Sequence, residues 1–445
     1  MNVLTSPLLT DLYQLTMLEG YITHGMHETA VFEFYVRTLP KERGFLLASG
    51  LDTLLYFLEQ VRFSEEELDY LAGTNRFSQG LLEYLAQFRF SGDVYAMPEG
   101  TVFFENEPVV RVVAPLPEAQ LIESRLINIL HFEIIIASKA ARSVLAADDR
   151  AVLVDFGLRR AHGAEAGLLA ARASYIAGFE GTATIPAEPL LGIPIFGTMA
   201  HSYIESHDSE LEAFIDFGEA NPTNTTLLID TYDVRKGAER SVEAARILAR
   251  KGIPVNAIRL DSGDLLAQSK EVRKILDESG FPNITIFVSG NLDERGIRDL
   301  LSEGAPINGF GVGTKLDTSE DAPYLECAYK MTEYAGTPRF KKSSGKATIP
   351  GRKQIFRSFS DGTMTGDVLT LEDEKTDGTP LISRVMRDGR KTGAPATLKE
   401  IRTYAKSQLR ALPPHLRSLE TAPPYPVDIS PSLIALKETI DRRIK

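Results

Sequence analysis

Seven short apolar runs in the middle of the chain end in residues able to bind or transfer charged groups. They are AVLVDFG (151–157), GTATIP (181–186), IPIFGTMAH (193–201), TTLLIDTYD (225–233), VNAIRLDSGD (255–264), ITIFVSGNLD (284–293) and INGFGVGT (307–314). Asp155 and Arg159 follow the first run, Thr198 and His201 the third, Asp230 and Asp233 the fourth. Arg259, Asp261 and Asp264 follow the fifth, Asn291 the sixth and Thr314 the seventh. In parallel α/β folds, sites gather where the C-terminal ends of the strands meet. The pattern therefore converges cations, carboxylates and one imidazole on one place.

Each cluster carries a plain structural reading beside the chemical one. RLDSGD is an internal ion pair with a helix cap from Ser262 or Asp264, or a guanidinium that grips an anion while carboxylates take ribose hydroxyls or Mg²⁺. GFGVGT and SGNLDE are glycine turns, or turns whose N–H groups meet phosphate. His201 in GTMAHS is a hydrogen-bonded core histidine or a catalytic one. In DFGLRRAHG, Phe156 has the shape to stack on a planar ring, and Arg159 or Arg160 the charge to meet phosphate. The DFG triplet lacks the other kinase motifs. SSGKA lacks the leading glycine and the hydroxyl of a phosphate-binding P-loop, and His201 and His207 have the wrong spacing for a helical zinc site.

The elements that must carry these residues are legible from periodicity. Helical patterns such as GAERSVEAARILARKG and SKEVRKILDESG lie between most of the apolar runs, as crossover helices between buried parallel strands would. An α/β barrel, complete or not, fits best, with a doubly wound open sheet as the alternative. Residues 1–95 mix amphipathic helices with strands, and VFEFYVRTL (31–39) alternates like a half-buried strand. Residues 93–115 read as a compact β module punctuated by prolines. The apolar stretch 126–147 contains His131, Glu133, Lys139 and Arg142, so it reads as a buried helix and not a membrane span. After residue 330 the rhythm gives way to hairpins and a terminal helix. The expected division is 1–120, 121–335 and 336–445, the last segment rejoining the first.

Composition narrows the partners. With 49 basic against 61 acidic residues, the net charge of −12 disfavours nucleic acid. A single cysteine, Cys327, excludes an internal disulfide and suits a reducing compartment. The first residues carry Asp11 and Glu19 where a signal peptide would be apolar, so a cytoplasmic protein without membrane attachment is expected.

In order, TDLYQLTMLEGY, DFGLRRAHG, GTMAHS, RLDSGD, SGNLDE, GFGVGT and PGRKQIFR resemble the nicotinate phosphoribosyltransferase family of type II phosphoribosyltransferases. The resemblance runs from residue 10 to about 357. It implies an irregular α/β barrel beside an α/β domain made from both chain ends, assembled as a homodimer with shared active sites. It also implies phosphoribosyl transfer from phosphoribosyl diphosphate to nicotinate, with ATP as co-substrate and Mg²⁺. By this resemblance His201 is phosphorylated, Phe156 and Tyr13 of the partner subunit sandwich the nicotinate ring, and Arg259 and Thr198 meet its carboxylate. Arg159, Gly290, Asn291, Gly313 and Thr314 would hold the phosphosugar, with Asp261 on the ribose or metal side. The metal ligands are left unassigned.

Two other readings compete. The nicotinamide phosphoribosyltransferases share several of these motifs but carry an Asp where this chain has Ala183, so an anionic substrate is favoured here. A non-catalytic barrel that binds a phosphoribosyl metabolite would have no need of His201.

Overall fold

The computed structural model describes residues 5–342 and 348–443. The SSGKA stretch weighed above, residues 343–347, lies outside them. The chain divides into two compact units, Met1–Ser138 with Tyr324–Lys445, and Lys139–Pro323. The first break falls inside the helix Glu123–Ala147, and the second just before the strand Cys327–Tyr334. Among the described residues no helix is long and apolar enough to cross a membrane.

The first unit is α/β and draws on both chain ends. Its seven-stranded antiparallel sheet pairs Thr29–Val36 with Val110–Pro115 on one side and Cys327–Tyr334 on the other. Thr29–Val36 is therefore a central strand, and every residue from Ala30 to Val36 is buried. The alternation that suggested a half-buried strand has another cause. Glu33 lies in the interior because Lys353 supplies a counter-charge, with Nζ 2.5 Å from its carboxylate. A buried charge is tolerated when it is paired in this way. The expected hairpins follow residue 330: Lys353–Ser360 pairs with Thr363–Leu371 across a turn where Asp361 and Gly362 both have positive φ. That is the signature of a two-residue turn matched to strand twist.

The N-terminal helix of this unit, Leu12–Thr23, buries Gln14, Leu15 and Leu18. Gln14 Nε2 donates to Glu123, and Gln120 donates to Gln14 Oε1 at 2.7 Å. Tyr13, one position along, faces outward and is 49% exposed. An aromatic in such a helix is ordinarily core; this one is not.

The second unit holds the parallel sheet. Its strands run in the order Gly181–Thr182, Val152–Asp155, Gly309–Val312, Thr285–Val288, Ala257–Leu260 and Thr226–Leu228, all parallel. Crossover helices include Ala164–Ala177, Val234–Arg250, Leu265–Glu278 and Glu294–Ser302. Six of the seven apolar runs are strands. The seventh, IPIFGTMAH, meets Thr182 through a single bridge at Ile195. Pro194 has no N–H to donate, so a continuous ladder is broken there. On its other side the segment reaches the opposite edge of the sheet by side chains: Thr198 Oγ1 donates to the Thr226 carbonyl at 2.7 Å, and Asn224 Nδ2 to the Gly197 carbonyl at 3.2 Å. The segment thus joins both edge strands and gives the parallel sheet an irregular, barrel-like closure, with backbone pairing on one side and side-chain hydrogen bonds on the other.

Candidate active site

The C-terminal ends of the parallel strands gather the residues singled out from sequence. Arg259, on strand Ala257–Leu260, is largely buried and donates in three directions. Its Nε reaches Ser289 Oγ at 2.8 Å, Nη1 the Met199 carbonyl at 3.0 Å and Nη2 Asp261 Oδ1 at 2.7 Å. Ser289 in turn donates to Asp261 Oδ1. Burial acts to raise the Asp261 carboxyl, but the Ser289 hydroxyl, Arg259 and His201 together hold it below the usual carboxylate range. It is a fixed negative charge beside a fixed positive one. The internal ion pair and the helix cap foreseen for RLDSGD are both present, the cap coming from Asp264, which accepts from Ala267 N–H at 3.0 Å.

His201 opens the short helix His201–Glu205. Its Nδ1 lies 3.1 Å from Thr231 Oγ1, and its Nε2 is 3.8 Å from Asp261 Oδ2, just beyond hydrogen-bond range. In the tautomer that donates Nδ1–H to Thr231, the Nε2 lone pair is free. Asp230 braces the same corner, its Oδ2 accepting from Asp261 N–H at 2.8 Å and Ser262 Oγ at 2.9 Å. Its Oδ1 is buried and has no hydrogen-bond partner among the described residues.

Phe156 presents its ring between Arg259, whose guanidinium carbon is 5.7 Å from the ring centroid, and Phe287, with centroids 5.7 Å apart. A half-buried aromatic under a guanidinium suits a planar ring that carries negative charge. The last pair of the neighbouring ladder is Asp155 with Thr182, and Ala183 N–H donates to the Asp155 carbonyl at 2.8 Å. Ala183 is therefore next in register to Phe156, and it is exposed.

Arg159 lies exposed on the turn Leu158–Arg160. Gly290 and Asn291 both have positive φ, 97° and 49°, and both are exposed. A Cβ at Gly290 would stand 1.9 Å from the Asp261 carbonyl oxygen, so only glycine fits this turn. Gly313 and Thr314 lead into the short helix Thr314–Asp317. Lys315 in that helix donates to Asp293 Oδ2 at 2.8 Å, and Asp293 caps the helix Glu294–Ser302. The two glycine turns are thereby braced through their following helices.

Phe156, Arg259, Asp261 and His201 are thus linked at one sheet end, with the exposed turns on adjacent strand ends of the same sheet. Thr198 belongs to the seam, where its hydroxyl donates to the Thr226 carbonyl at 2.7 Å. Tyr13 belongs to the other unit. Sequence reasoning missed Ser289, Thr231, Lys315 and Asp317. Ser289 had a signal, since the hydroxyl closing the apolar run ITIFVS follows the Val288–Leu260 pair of a parallel ladder and so stands level with Asp261. Among the described residues no group of three or more His, Cys, Asp or Glu side chains is arranged to hold a metal by itself.

A strand-end cluster of this kind, with glycine turns and crossover helices, defines an α/β protein whose parallel-strand ends have the charges and N–H turns suited to anionic ligands. Comparison with known proteins makes the class specific. The nicotinate phosphoribosyltransferase (NAPRTase) family model matches residues 151–354, and the models of the N-terminal and C-terminal domains of that enzyme match residues 8–131 and 375–437. The nicotinate phosphoribosyltransferase pncB2 of Mycobacterium tuberculosis is 48% identical over 429 residues, covering 96% of this chain and 92% of that protein. The Bacillus subtilis nicotinate phosphoribosyltransferase is 38% identical over 376 residues, covering 82% and 76%. The crystal structure of the human nicotinic acid phosphoribosyltransferase superposes with a TM-score of 0.87 at 28% identity, covering 97% of this chain and 99% of that one. The chain belongs to the nicotinate phosphoribosyltransferase family.

The ion pair generates a prediction. Ser289→Ala removes the acceptor of Arg259 Nε–H and a donor to Asp261, at a cost of about 1–3 kcal/mol for groups left unpaired out of water. Because folding lowers the Asp261 pKa, its stabilisation is present above its unfolded value and is lost as pH falls through its folded value. In the variant that folded value rises. Urea unfolding should therefore show a deficit at neutral pH that narrows on acidification; a constant deficit would assign the loss to packing alone.

Proposed function

We propose that the protein transfers the phosphoribosyl group of phosphoribosyl diphosphate to nicotinate, in NAD salvage, releasing diphosphate and nicotinate mononucleotide. We also propose that ATP hydrolysis is coupled to this transfer through His201. The observation that carries the reading is the linked set of guanidinium, carboxylate, imidazole and aromatic ring at one sheet end.

In this reading nicotinate lies on Phe156, with its carboxylate on the N–H groups of Arg259 that the protein leaves unused. Tyr13 of the partner subunit covers the other ring face in a homodimer with shared sites; its exposure on Leu12–Thr23 supports that role. Arg159, Gly290, Asn291, Gly313 and Thr314 receive the phosphosugar, their exposed turns offering N–H groups and one guanidinium to phosphate oxygens. As the glycosidic C–O bond to diphosphate breaks, positive charge grows on the ribose and negative charge on the leaving group. The preset Asp261 carboxylate and the preset donors match those charges without reorganising.

Mg²⁺ suits the same corner. The partnerless buried Oδ1 of Asp230, with Asp261 adjoining, supplies the one or two carboxylates such an ion takes when substrate phosphates complete its shell. When bound it would neutralise diphosphate charge.

His201 attacks the γ-phosphorus of ATP through Nε2. A P–N bond forms, the bond to ADP breaks, and water later returns the phosphoryl group as phosphate. The modification adds about −1.5 to −2 charges beside Asp261, if it behaves as other phosphoryl groups do. Such a charge shifts the affinity of the neighbouring turns for an anionic substrate and product, which is a means of coupling.

His201→Ala should abolish protein labelling from γ-phosphate-labelled ATP and abolish ADP release, while slow nucleotide synthesis persists at high substrate. Labelling retained in the variant would remove His201 from the coupling. A second substitution tests the choice of acid over amide. Ala183→Asp sets a carboxylate next to Phe156, where one unit charge a few ångströms from the nicotinate carboxylate costs about 1–4 kcal/mol. Nicotinate kcat/KM should fall about ten-fold or more while nicotinamide use holds or rises. Equal loss for both substrates would contradict the assignment of Ala183 to the ring pocket.

A further inference from the structure

Beneath the ring platform lie two aspartates that the reaction above does not use. Asp155 ends its strand and is wholly buried, and so is Asp317, in the short helix that follows Gly313 and Thr314. Asp155 has conventional partners. Its Oδ1 accepts from Gly157 N–H at 2.7 Å and its Oδ2 from Thr182 Oγ1 at 2.6 Å. Neither oxygen of Asp317 receives a hydrogen bond from any N–H or hydroxyl among the described residues. The contact available to Asp317 is the Asp155 carboxyl itself.

Two ionised carboxylates cannot share a dry contact; one proton between them turns repulsion into a strong hydrogen bond. The local bonds decide where it sits. Two donors favour the ionised form of Asp155, and none favours the ionised form of Asp317, so the proton belongs to Asp317. Both carboxyls meet the same residue: Gly157 donates its N–H to Asp155, and a Cβ on Gly157 would stand 2.1 Å from the Asp317 carboxyl carbon, so no side chain fits there.

We propose that Asp317 is a positioning residue, whose carboxyl carries a proton donated to Asp155 and thereby ties the Phe156–Gly157 turn to the Gly313–Thr314 turn. The proposal rests on the reading of these turns as ring platform and phosphate site. The supporting bonds are short-range and converge. Phe156 N–H donates to the Val312 carbonyl at 2.8 Å, and Asp317 N–H to the Gly313 carbonyl at 3.1 Å. The shared proton closes this circuit from the ring platform back to the phosphate turn.

The charged groups of the surrounding elements are few. They are Asp155, the exposed Arg159 and Arg160, Glu165 and Arg172 of the helix Ala164–Ala177, and Lys315, which is paired with Asp293. Of these, the charge that reaches Asp317 is that of Asp155. Burial and that charge push the Asp317 carboxyl well above the usual carboxylate range. For an acid raised by folding, the folded state holds the extra proton, so stability falls as pH rises toward the folded value.

The test compares Asp317→Asn, which keeps a donor toward Asp155 and cannot ionise, with Asp317→Ala. In wild-type protein without substrate, infrared difference spectra at mildly alkaline pH, where ordinary aspartates are ionised, should show a protonated carboxyl band that Asp317→Asn lacks. The Asn variant should keep the wild-type KM for phosphoribosyl diphosphate and lose less thermal stability on alkalinisation than wild type. The Ala variant should raise that KM on the order of ten-fold with a smaller change in kcat, as misplaced binding groups do. Absence of the band in wild type, or an Asn variant as impaired as the Ala variant, would overturn the proposal. The band is read without substrate, so it stands or falls independently of the reaction assigned to the site.

Discussion

The Arg259–Asp261 ion pair is the contact through which the strand ends of the parallel sheet become one site. Arg259 spends its donors on Asp261, on Ser289 at the end of the next strand, and on the Met199 carbonyl of the bridging segment. Asp261 receives Ser289 on one oxygen and approaches His201 with the other, while its own N–H is held by Asp230. Three strands and one irregular segment are thus registered by a single pair of charges. A partly buried pair contributes modestly to net stability, yet removing one member leaves the other charge without compensation, which costs far more. The value of this arrangement is therefore in geometry.

That geometry carries a functional consequence. A guanidinium already satisfied on three sides is rigid, and its remaining N–H groups point wherever the pair directs them. The ring of Phe156 lies under the same guanidinium, its centroid 5.7 Å from the guanidinium carbon. The imidazole of His201 adjoins the same carboxylate. Guanidinium, carboxylate, imidazole and aromatic ring consequently form one electrostatic unit, in which the imidazole of His201 faces the carboxylate of Asp261.

Much of this was legible in the order of residues. Buried parallel strands announce themselves as apolar runs, and the polar residues that close each run mark the strand end; this located Asp155, Arg259 and Asp261, whereas Phe156 and His201 stood out in the motifs DFGLRRAHG and GTMAHS. The run IPIFGTMAH misled in detail because apolarity reports burial, whereas pairing requires N–H groups that Pro194 lacks. The strand Thr29–Val36 misled for a related reason: Glu33 looked like a solvent-facing residue because its partner, Lys353, is 320 positions away. Asp317 and Thr231 were silent, since a carboxyl or hydroxyl on a short helix or turn has no periodic signature until folding supplies its neighbour. The exposure of Tyr13 was not legible in its helix pattern, because the same apolar spacing describes an aromatic turned into a core.

The proposed coupling of ATP hydrolysis to phosphoribosyl transfer onto nicotinate is open to one decisive assay. The most direct measurement is ADP release by the purified protein with ATP, Mg²⁺ and phosphoribosyl diphosphate, with nicotinate or nicotinamide added in parallel, and nicotinate mononucleotide quantified in the same samples. The account predicts mononucleotide formation with nicotinate, accelerated by ATP and accompanied by ADP, and little turnover with nicotinamide. Equal turnover of the amide, or nucleotide formation that neither consumes ATP nor responds to it, would contradict it.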